Sequence, residues 1–285
     1  MFRILSKNML SAAVCEMEVE AGRVARAALP GQFLIVRVGP EGERVPLTIS
    51  DCDADRGTVT IVTQKVGAST TDIVAMEAGD CFEDVVGPLG LPSEFVKSTP
   101  EELRDERYVF IAGGVGAAPV YPQVKWLADR GVSVDVIVAA RTADLLIYTE
   151  KLAMPGVSVH VCTDDGSRGF KGVGTAMLEK LVADGARFTR AVAIGPMIMM
   201  KFTALCCRKL DLPVTVSLNT LMVDGTGMCG ACRVTVGGKT RFACVEGPEF
   251  DGWEVDFDEA MNRQGQYREE ERAAMENHVC KIGRG

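Results

Sequence analysis

A change of hydrophobic period near residue 108 constrains this chain more than any other feature. Before it, short apolar–polar alternations recur between turn residues, and strands are predicted over 2–5, 12–20, 32–38, 45–50, 58–64 and 80–86. A period of two marks half-buried strands, and a row of them with glycine turns predicts a small antiparallel barrel. Beyond it, apolar runs over 108–112, 134–139, 157–162, 191–194 and 214–218 alternate with helical stretches over 120–129, 175–183 and 197–210. That alternation predicts a parallel sheet with crossover helices. The charged stretch 98–107, which carries Pro100, reads as a linker. The expected fold class is therefore β barrel plus α/β, with an antiparallel barrel over 1–97, a parallel-sheet domain over 98–218 and a C-terminal segment over 219–285.

The bulk properties narrow the function classes. With 285 residues, 47% of them hydrophobic and 25% charged, the chain can bury the cores of about two domains. A net charge of −8 speaks against nucleic acid or an anionic membrane surface as partner. No window approaches the ~20 apolar residues of a membrane span, and the start MFRILSKNML is too polar for a secretion signal. The expected compartment is the cytoplasm. Seven scattered cysteines (Cys15, Cys52, Cys81, Cys162, Cys206, Cys207, Cys280) read as buried and reduced rather than as a disulfide framework. Only two histidines are present, His160 and His278, so a hydrolase built on a histidine base is disfavoured. Hydride and single-electron chemistry has less need of such a base, because a cofactor carries it.

The other three cysteines are spaced for a metal cluster. Asp224 is followed after four residues by Cys229, after two more by Cys232, and after eleven more by Cys244. The plant-type [2Fe–2S] spacing is C-x4-C-x2-C…C, and Asp224 stands where its first cysteine would be. Gly225, Gly227 and Gly230 let the backbone wrap tightly and turn amides toward sulfur. Gly237-Gly238 between strands at 233–236 and 239–243 is a hairpin signal that brings Cys232 and Cys244 together. A structural zinc site with the same ligands and a chance grouping of cysteines remain as alternatives. The charged stretch 256–277 reads as helical, with Phe257, Ala260, Met261 and Tyr267 as anchors.

Several loops carry phosphate-binding chemistry. Gly113-Gly114-Val115-Gly116-Ala117-Ala118-Pro119 follows an apolar strand and opens a helix, the context in which a tight turn presents a helix N-terminus to a dinucleotide. Arg141-Thr142, Thr163-Asp164-Asp165-Gly166 and Gly195-Pro196-Met197 follow the next strands, and ligands of open α/β sheets sit beyond such strand ends. The acidic pair Asp164/Asp165 favours NAD over NADP, and the nearby Arg168 pulls the other way. In the barrel, Arg44-Val45-Pro46-Leu47-Thr48-Ile49-Ser50 puts a cation and a hydroxyl on one strand, suited to a pyrophosphate and a flavin edge. Gly67-Ala68-Ser69-Thr70-Thr71 opens a short helix with free amides, and Gly87-Pro88-Leu89-Gly90 turns after the last barrel strand. Taken singly, these barrel motifs are weak: a strand with a cation and a proline is common, and the glycine–serine–threonine run is more often a helix cap.

Together the pieces resemble the ferredoxin–NADP reductase superfamily along nearly the whole chain. The resemblance is to the branch with a C-terminal [2Fe–2S] cluster, which includes electron-transfer subunits of dihydroorotate dehydrogenase B, sulfide dehydrogenase small subunits and small subunits of NADH-dependent reduced ferredoxin:NADP oxidoreductase. The run from Leu218 to Val234 looks most like the last group, because the dihydroorotate subunits usually supply a cysteine where Asp224 stands. The resemblance implies an oxidoreductase subunit in which Arg44, Pro46, Leu47, Thr48, Ser69 and Thr70 hold FAD, with Ile49, Thr63, Gly67, Gly87 and Pro88 extending that set and Thr48 at the catalytic position. It implies that Gly114, Gly116, Pro119, Arg141, Asp165 and Gly195 line a site for NAD(H) in preference to NADP(H), with Gly113, Val115, Ala118, Thr142, Asp164, Pro196 and Met197 beside them. Asp224, Cys229, Cys232 and Cys244 would hold the cluster. The implied partner is a larger FAD and [4Fe–4S] flavoprotein subunit in a heterodimer, with ferredoxin reached through it. Two rivals are a dihydroorotate dehydrogenase subunit and a non-catalytic redox sensor.

Overall fold

The structure is a computed structural model that describes residues 1–278. Cys280 lies outside the described residues. The N-terminal part contains β1 (Phe2–Ser11), β2 (Val14–Glu20), α1 (Gly22–Ala27), β3 (Phe33–Arg37), β4 (Val45–Asp53), β5 (Thr58–Gln64), α2 (Ala68–Ala75), β6 (Cys81–Phe82) and β7 (Asp84–Leu89). Its strands pair antiparallel in the order β6-β1-β2-β5-β4-β3-β7. The two outermost strands, β6 and β7, are joined by Glu83 alone, so the chain itself closes the sheet into a barrel. The Glu83 amide completes the seam by donating to the Arg37 carbonyl at 2.8 Å. Ile4, Met17, Leu34, Ile61 and Phe82 fill the interior, and α1 and α2 cover it with Val24, Ala25 and Ile73.

Two details depart from expectation. The segment predicted as one strand over 80–86 is two, because the chain crosses from one sheet edge to the other at Glu83. The first strand runs to Ser11 instead of residue 5 and forms a hairpin with β2, in which Ser11 faces Val14. Its second half buries no residue and carries no apolar alternation, which hid it.

The stretch read as a linker is ordered. It holds α3 (Pro100–Arg104), capped by Thr99 and Glu102 in a reciprocal capping box, with Leu103 buried. Next come β8 (Arg107–Gly113), α4 (Ala117–Ala128), β9 (Ser133–Ala140), β10 (Val157–Thr163), β11 (Phe170–Lys171), α5 (Gly174–Ala183), β12 (Arg190–Ile194), α6 (Met197–Lys209) and β13 (Val214–Ser217). The final part adds β14 (Arg233–Val236), β15 (Lys239–Phe242), α7 (Ala243–Glu246), β16 (Glu249–Asp251), α8 (Phe257–Gln264) and α9 (Arg268–Glu276). The second sheet runs β11-β10-β9-β8-β12-β13-β16 and is parallel except for β16, which lies antiparallel on β13. Val109, Phe110, Ile111 and Ala112 of β8 are all fully buried, as expected of a strand covered on both faces.

The 256–277 stretch is two helices, broken at Gly265. Phe257 and Ala260 are buried anchors and Met261 packs beside them, but Tyr267 is exposed and α9 buries no residue. Cys15, Cys162, Cys206 and Cys207 are buried as expected. Cys52 is exposed, because it sits at an outward position of β4, and Cys81 is half-buried. No helix among the described residues is long and apolar enough to cross a membrane.

Candidate functional site

The order of the parallel sheet reverses between β8 and β12, the switch point at which open α/β sheets bind ligands. Glycines make this crevice possible. A Cβ on Gly116 would lie 2.1 Å from the Ile194 carbonyl, and one on Gly195 would lie 3.0 Å from the Gly113 Cα. Gly114 takes φ +56° with open space beside it, so its backbone is free to approach a ligand. Val115 lies in the turn, Ala118 is buried, and Pro119 sits in the first turn of α4, where its missing N–H costs nothing. Pro196 precedes α6 and Met197 is buried beneath it.

The neighbouring loops are tied to one another. The Asp165 amide donates to the Arg141 carbonyl (3.3 Å) and the Asp164 amide to the Ala140 carbonyl (3.1 Å). The Ser167 hydroxyl donates to Asp165 Oδ1 (2.7 Å) and accepts from the Ala143 amide just beyond Thr142 (2.8 Å). Hydrogen bonds from Ser167 hold the Asp165 carboxyl below the usual carboxylate range. The four loops therefore form one rim, with an anionic Asp165 on it.

In the barrel, strand alternation divides β4. Leu47 and Ile49 turn into the core, leaving Pro46, Thr48 and Ser50 on the opposite face. Helix α4 packs against this strand, and Lys125 of α4 pairs with Asp51 at 2.9 Å. Helix α4, which the glycine loop opens, thus packs the nucleotide-type sheet onto β4.

Three polar atoms on these strands are buried without a partner: Arg44 Nε, Ser50 Oγ and Thr63 Oγ1. Native interiors rarely leave such groups unpaired; a polar cofactor along β4 would supply partners for Arg44 Nε and Ser50 Oγ, whereas Thr63 falls on the same face of β5 as the core residue Ile61. Ser50 was not singled out from sequence, since a lone serine on a strand carries no signal. At α2, the Thr70 hydroxyl caps its own helix by accepting from the Gly67 amide (2.9 Å), and Ser69 donates to the Glu43 carboxylate. That contact places the start of α2 beside Arg44. Gly87 lies against Leu34, where a Cβ would come within 2.9 Å, and Pro88 follows it in β7.

The cluster segment folds onto the barrel. Gly225, Gly227 and Gly230 all adopt positive φ (+77°, +83°, +67°), as their spacing suggested. Gly225 meets the barrel so closely that a Cβ would lie 2.5 Å from Ile35 Cδ1 and 3.1 Å from Leu89 Cδ1. Phe33 and Ile35 of the barrel share one small core with Met222, Cys232, Ala243 and Cys244. The β14–β15 hairpin turns on Gly237 and Gly238 with Val236 opposite Lys239, and its mouth brings Cys232 and Cys244 together, the Cys244 amide lying 3.4 Å from Cys232 Sγ. Burial and the neighbouring Cys232 push the Cys244 thiol well above its ordinary value.

Asp224 accepts at Oδ2 from the Cys229 amide (2.9 Å) and at Oδ1 from the Thr226 hydroxyl (2.6 Å). These bonds, those from Thr226 foremost, lower its carboxyl to about 2. The four candidate ligands stand as two neighbouring pairs. Among the described residues, no three acidic, histidine or cysteine side chains close on a single metal ion. The donor set nonetheless fits a cluster: a carboxylate and two thiols on one glycine loop and a third thiol at the start of α7, with Cys232 and Cys244 in an apolar core where a bound cation favours ionisation.

A further polar junction was not read from sequence. Glu249 Oε1 accepts from Ser93 Oγ and from Gln123 Nε2, each at 2.9 Å. These residues come from the end of the barrel, from α4 and from β16, so one half-buried carboxyl joins all three parts. Burial pushes Glu249 up to about 7.

Comparison with known proteins places the chain. Residues 219–256 match the iron-sulfur cluster binding domain of dihydroorotate dehydrogenase B. A protein from the adh 3′ region of Clostridium beijerinckii is 56% identical over 272 residues, covering 95% of this chain and 92% of that protein. The dihydroorotate dehydrogenase B (NAD(+)) electron transfer subunit homolog of Thermotoga maritima is 42% identical over 283 residues, covering 98% and 96%. A chain in the structure of NADH-dependent reduced ferredoxin-NADP oxidoreductase, solved for insight into flavin-based electron bifurcation, superposes with a TM-score of 0.89 at 41% identity and covers 97% of both chains. The chain therefore belongs to the family of dihydroorotate dehydrogenase B electron transfer subunits and their homologues, an oxidoreductase family of ferredoxin reductase-like fold with a C-terminal iron–sulfur segment.

Proposed function

We propose that the chain is an electron-transfer flavoprotein subunit that passes electrons between a [2Fe–2S] cluster, FAD and NAD(H) within a flavin-based electron-bifurcating NADPH/ferredoxin/NAD oxidoreductase. The observation that carries this is the seating of the cluster loop directly on the barrel strand next to β4, with Gly225 against Ile35 and Leu89. FAD, when bound, joins one-electron carriers to two-electron hydride chemistry.

This chain's residues do the holding. Arg44 and the α2 start at Gly67–Thr70 bind the diphosphate, with Gly87 and Pro88 along the same barrel. Pro46 and Thr48 would hold the ring system from the β4 face, with the Thr48 hydroxyl as the catalytic group there. The Gly113–Pro119 loop, Arg141-Thr142 and Gly195–Met197 orient the pyridine nucleotide. Asp164 and Asp165 disfavour a 2′-phosphate. Asp224, Cys229, Cys232 and Cys244 hold the cluster, and α4 packed on β4 keeps water from the interface. A larger FAD and [4Fe–4S] subunit would dock at this loop, where a bound cluster would supply the one-electron exchange, with ferredoxin reached through that subunit. The exposed Val223, Met228 and Val245 around the loop supply an apolar rim for that subunit. The complex works in the cytoplasm.

The test is an anaerobic preparation assayed for iron, acid-labile sulfide and FAD, and for reduction of artificial acceptors by NADH against NADPH. A colourless preparation, or a loaded one inert to both nucleotides, defeats the proposal. The names of the relatives favour a second reading, the electron transfer subunit of a dihydroorotate dehydrogenase B. Mass spectrometry of the complex from its native host separates the two by the partner it contains.

A further inference from the structure

We infer that Arg44 is a positioning residue that ties the flavin-binding strand to the cluster loop, so that occupancy of the diphosphate site is felt at the cluster. The inference rests on the reading above, and its test separates the two. Arg44 Nη2 donates to the Asp224 backbone carbonyl at 3.0 Å, across 180 residues of sequence. The same guanidinium keeps Nε buried and unpaired. A guanidinium is a rigid fork with five N–H donors, so one edge can hold the loop while others remain for an anion. The Lys ammonium, a point charge on a flexible stem, lacks that geometry.

What Arg44 holds is the anchor of the loop. Both carboxylate oxygens of Asp224 are committed within the loop, to Thr226 and to the Cys229 amide. The next residue, Gly225, is wedged on Ile35 and Leu89. The peptide between Asp224 and Gly225 is therefore gripped by Arg44 through its carbonyl and by the barrel through the glycine, and Cys229 follows it through the Asp224 carboxylate. On the other side, the adjacent Glu43 accepts from Ser69 at the start of α2. Residues 43 and 44 thus touch both the proposed diphosphate site and the cluster loop.

The experiment compares wild type, Arg44→Lys and Arg44→Gln, each with FAD and after FAD removal, by the EPR signal of the reduced cluster and by the rate of iron loss to a chelator. Loss of a charge-assisted contact predicts FAD binding weakened roughly 10- to 100-fold in Arg44→Gln. The tie predicts more: in FAD-free protein both variants lose iron several-fold faster than wild type, and removing FAD alters the EPR signal of wild type but not of either variant. Variants whose FAD-free protein matches wild type in signal and iron loss overturn the tie and leave Arg44 a flavin ligand only. A wild type without iron or flavin overturns the proposed function, and the tie with it.

Discussion

Glu249 makes the fold sensitive to pH in a direction that can be worked out. Its carboxyl rises from an ordinary 4.5 to about 7, chiefly through burial, with Glu94 adding to the rise and the Ser93 and Gln123 hydrogen bonds opposing it. At about 1.4 kcal/mol per tenfold step in acidity, ionising Glu249 in the folded chain costs ~3 kcal/mol. Below pH 4.5 folded and unfolded chains both hold the proton, and the group contributes no pH dependence. Between 4.5 and about 7 the unfolded chain releases it while the folded chain retains it, so stability falls as pH rises. Above about 7 the full penalty remains. The Gln123 Oε1 atom is buried without a partner, and a proton on Glu249 supplies a donor at this junction. Glu249→Gln keeps the shape and stays neutral at every pH. Urea unfolding of the loaded protein at 25 °C should show the two proteins within ~1 kcal/mol at pH 5 and the variant more stable by ~3 kcal/mol at pH 8. A gap that does not change between those pH values would refute the reasoning.

The other predictions each isolate one contact. Gly116→Ala keeps an ordinary backbone but drives a methyl into the Ile194 carbonyl; NADH affinity should fall at least ~10-fold while FAD absorbance stays, as measured by fluorescence titration. Gly225→Ala combines positive φ with overlap on Ile35, so it should cost ~2 kcal/mol or more in urea unfolding and lower iron content. Cys244→Ser should remove most of the iron and leave FAD in place, because the cluster core and the β4 face share no candidate ligand; metal analysis beside the visible spectrum checks it.

Much of this protein was legible residue by residue. Period-two alternation followed by strand–helix alternation marked the barrel and the parallel sheet, since side-chain burial follows backbone geometry directly. Gly237-Gly238 specified a hairpin, and with it the meeting of Cys232 and Cys244, because few residues tolerate positive φ at both turn positions. The glycines of the 224–230 loop and of the 113–116 loop told of close backbone approach for the same reason. Even α3 was open to inspection, in the spacing of Thr99 and Glu102, although charge and Pro100 masked it.

Contacts between distant segments carried no such local signature. Nothing near Glu83 shows that β6 and β7 are opposite edges of one barrel. Nothing near Glu249 tells that its strand returns to the parallel sheet and delivers a carboxyl to Ser93 and Gln123. Arg44 reads in sequence as a phosphate ligand, and only the folded chain brings it to the Asp224 carbonyl. Local conformation depends on neighbours a few residues away, which sequence displays. The pairing of a buried polar group depends on whichever segment the packed cores carry to it, and only the tertiary structure decides that.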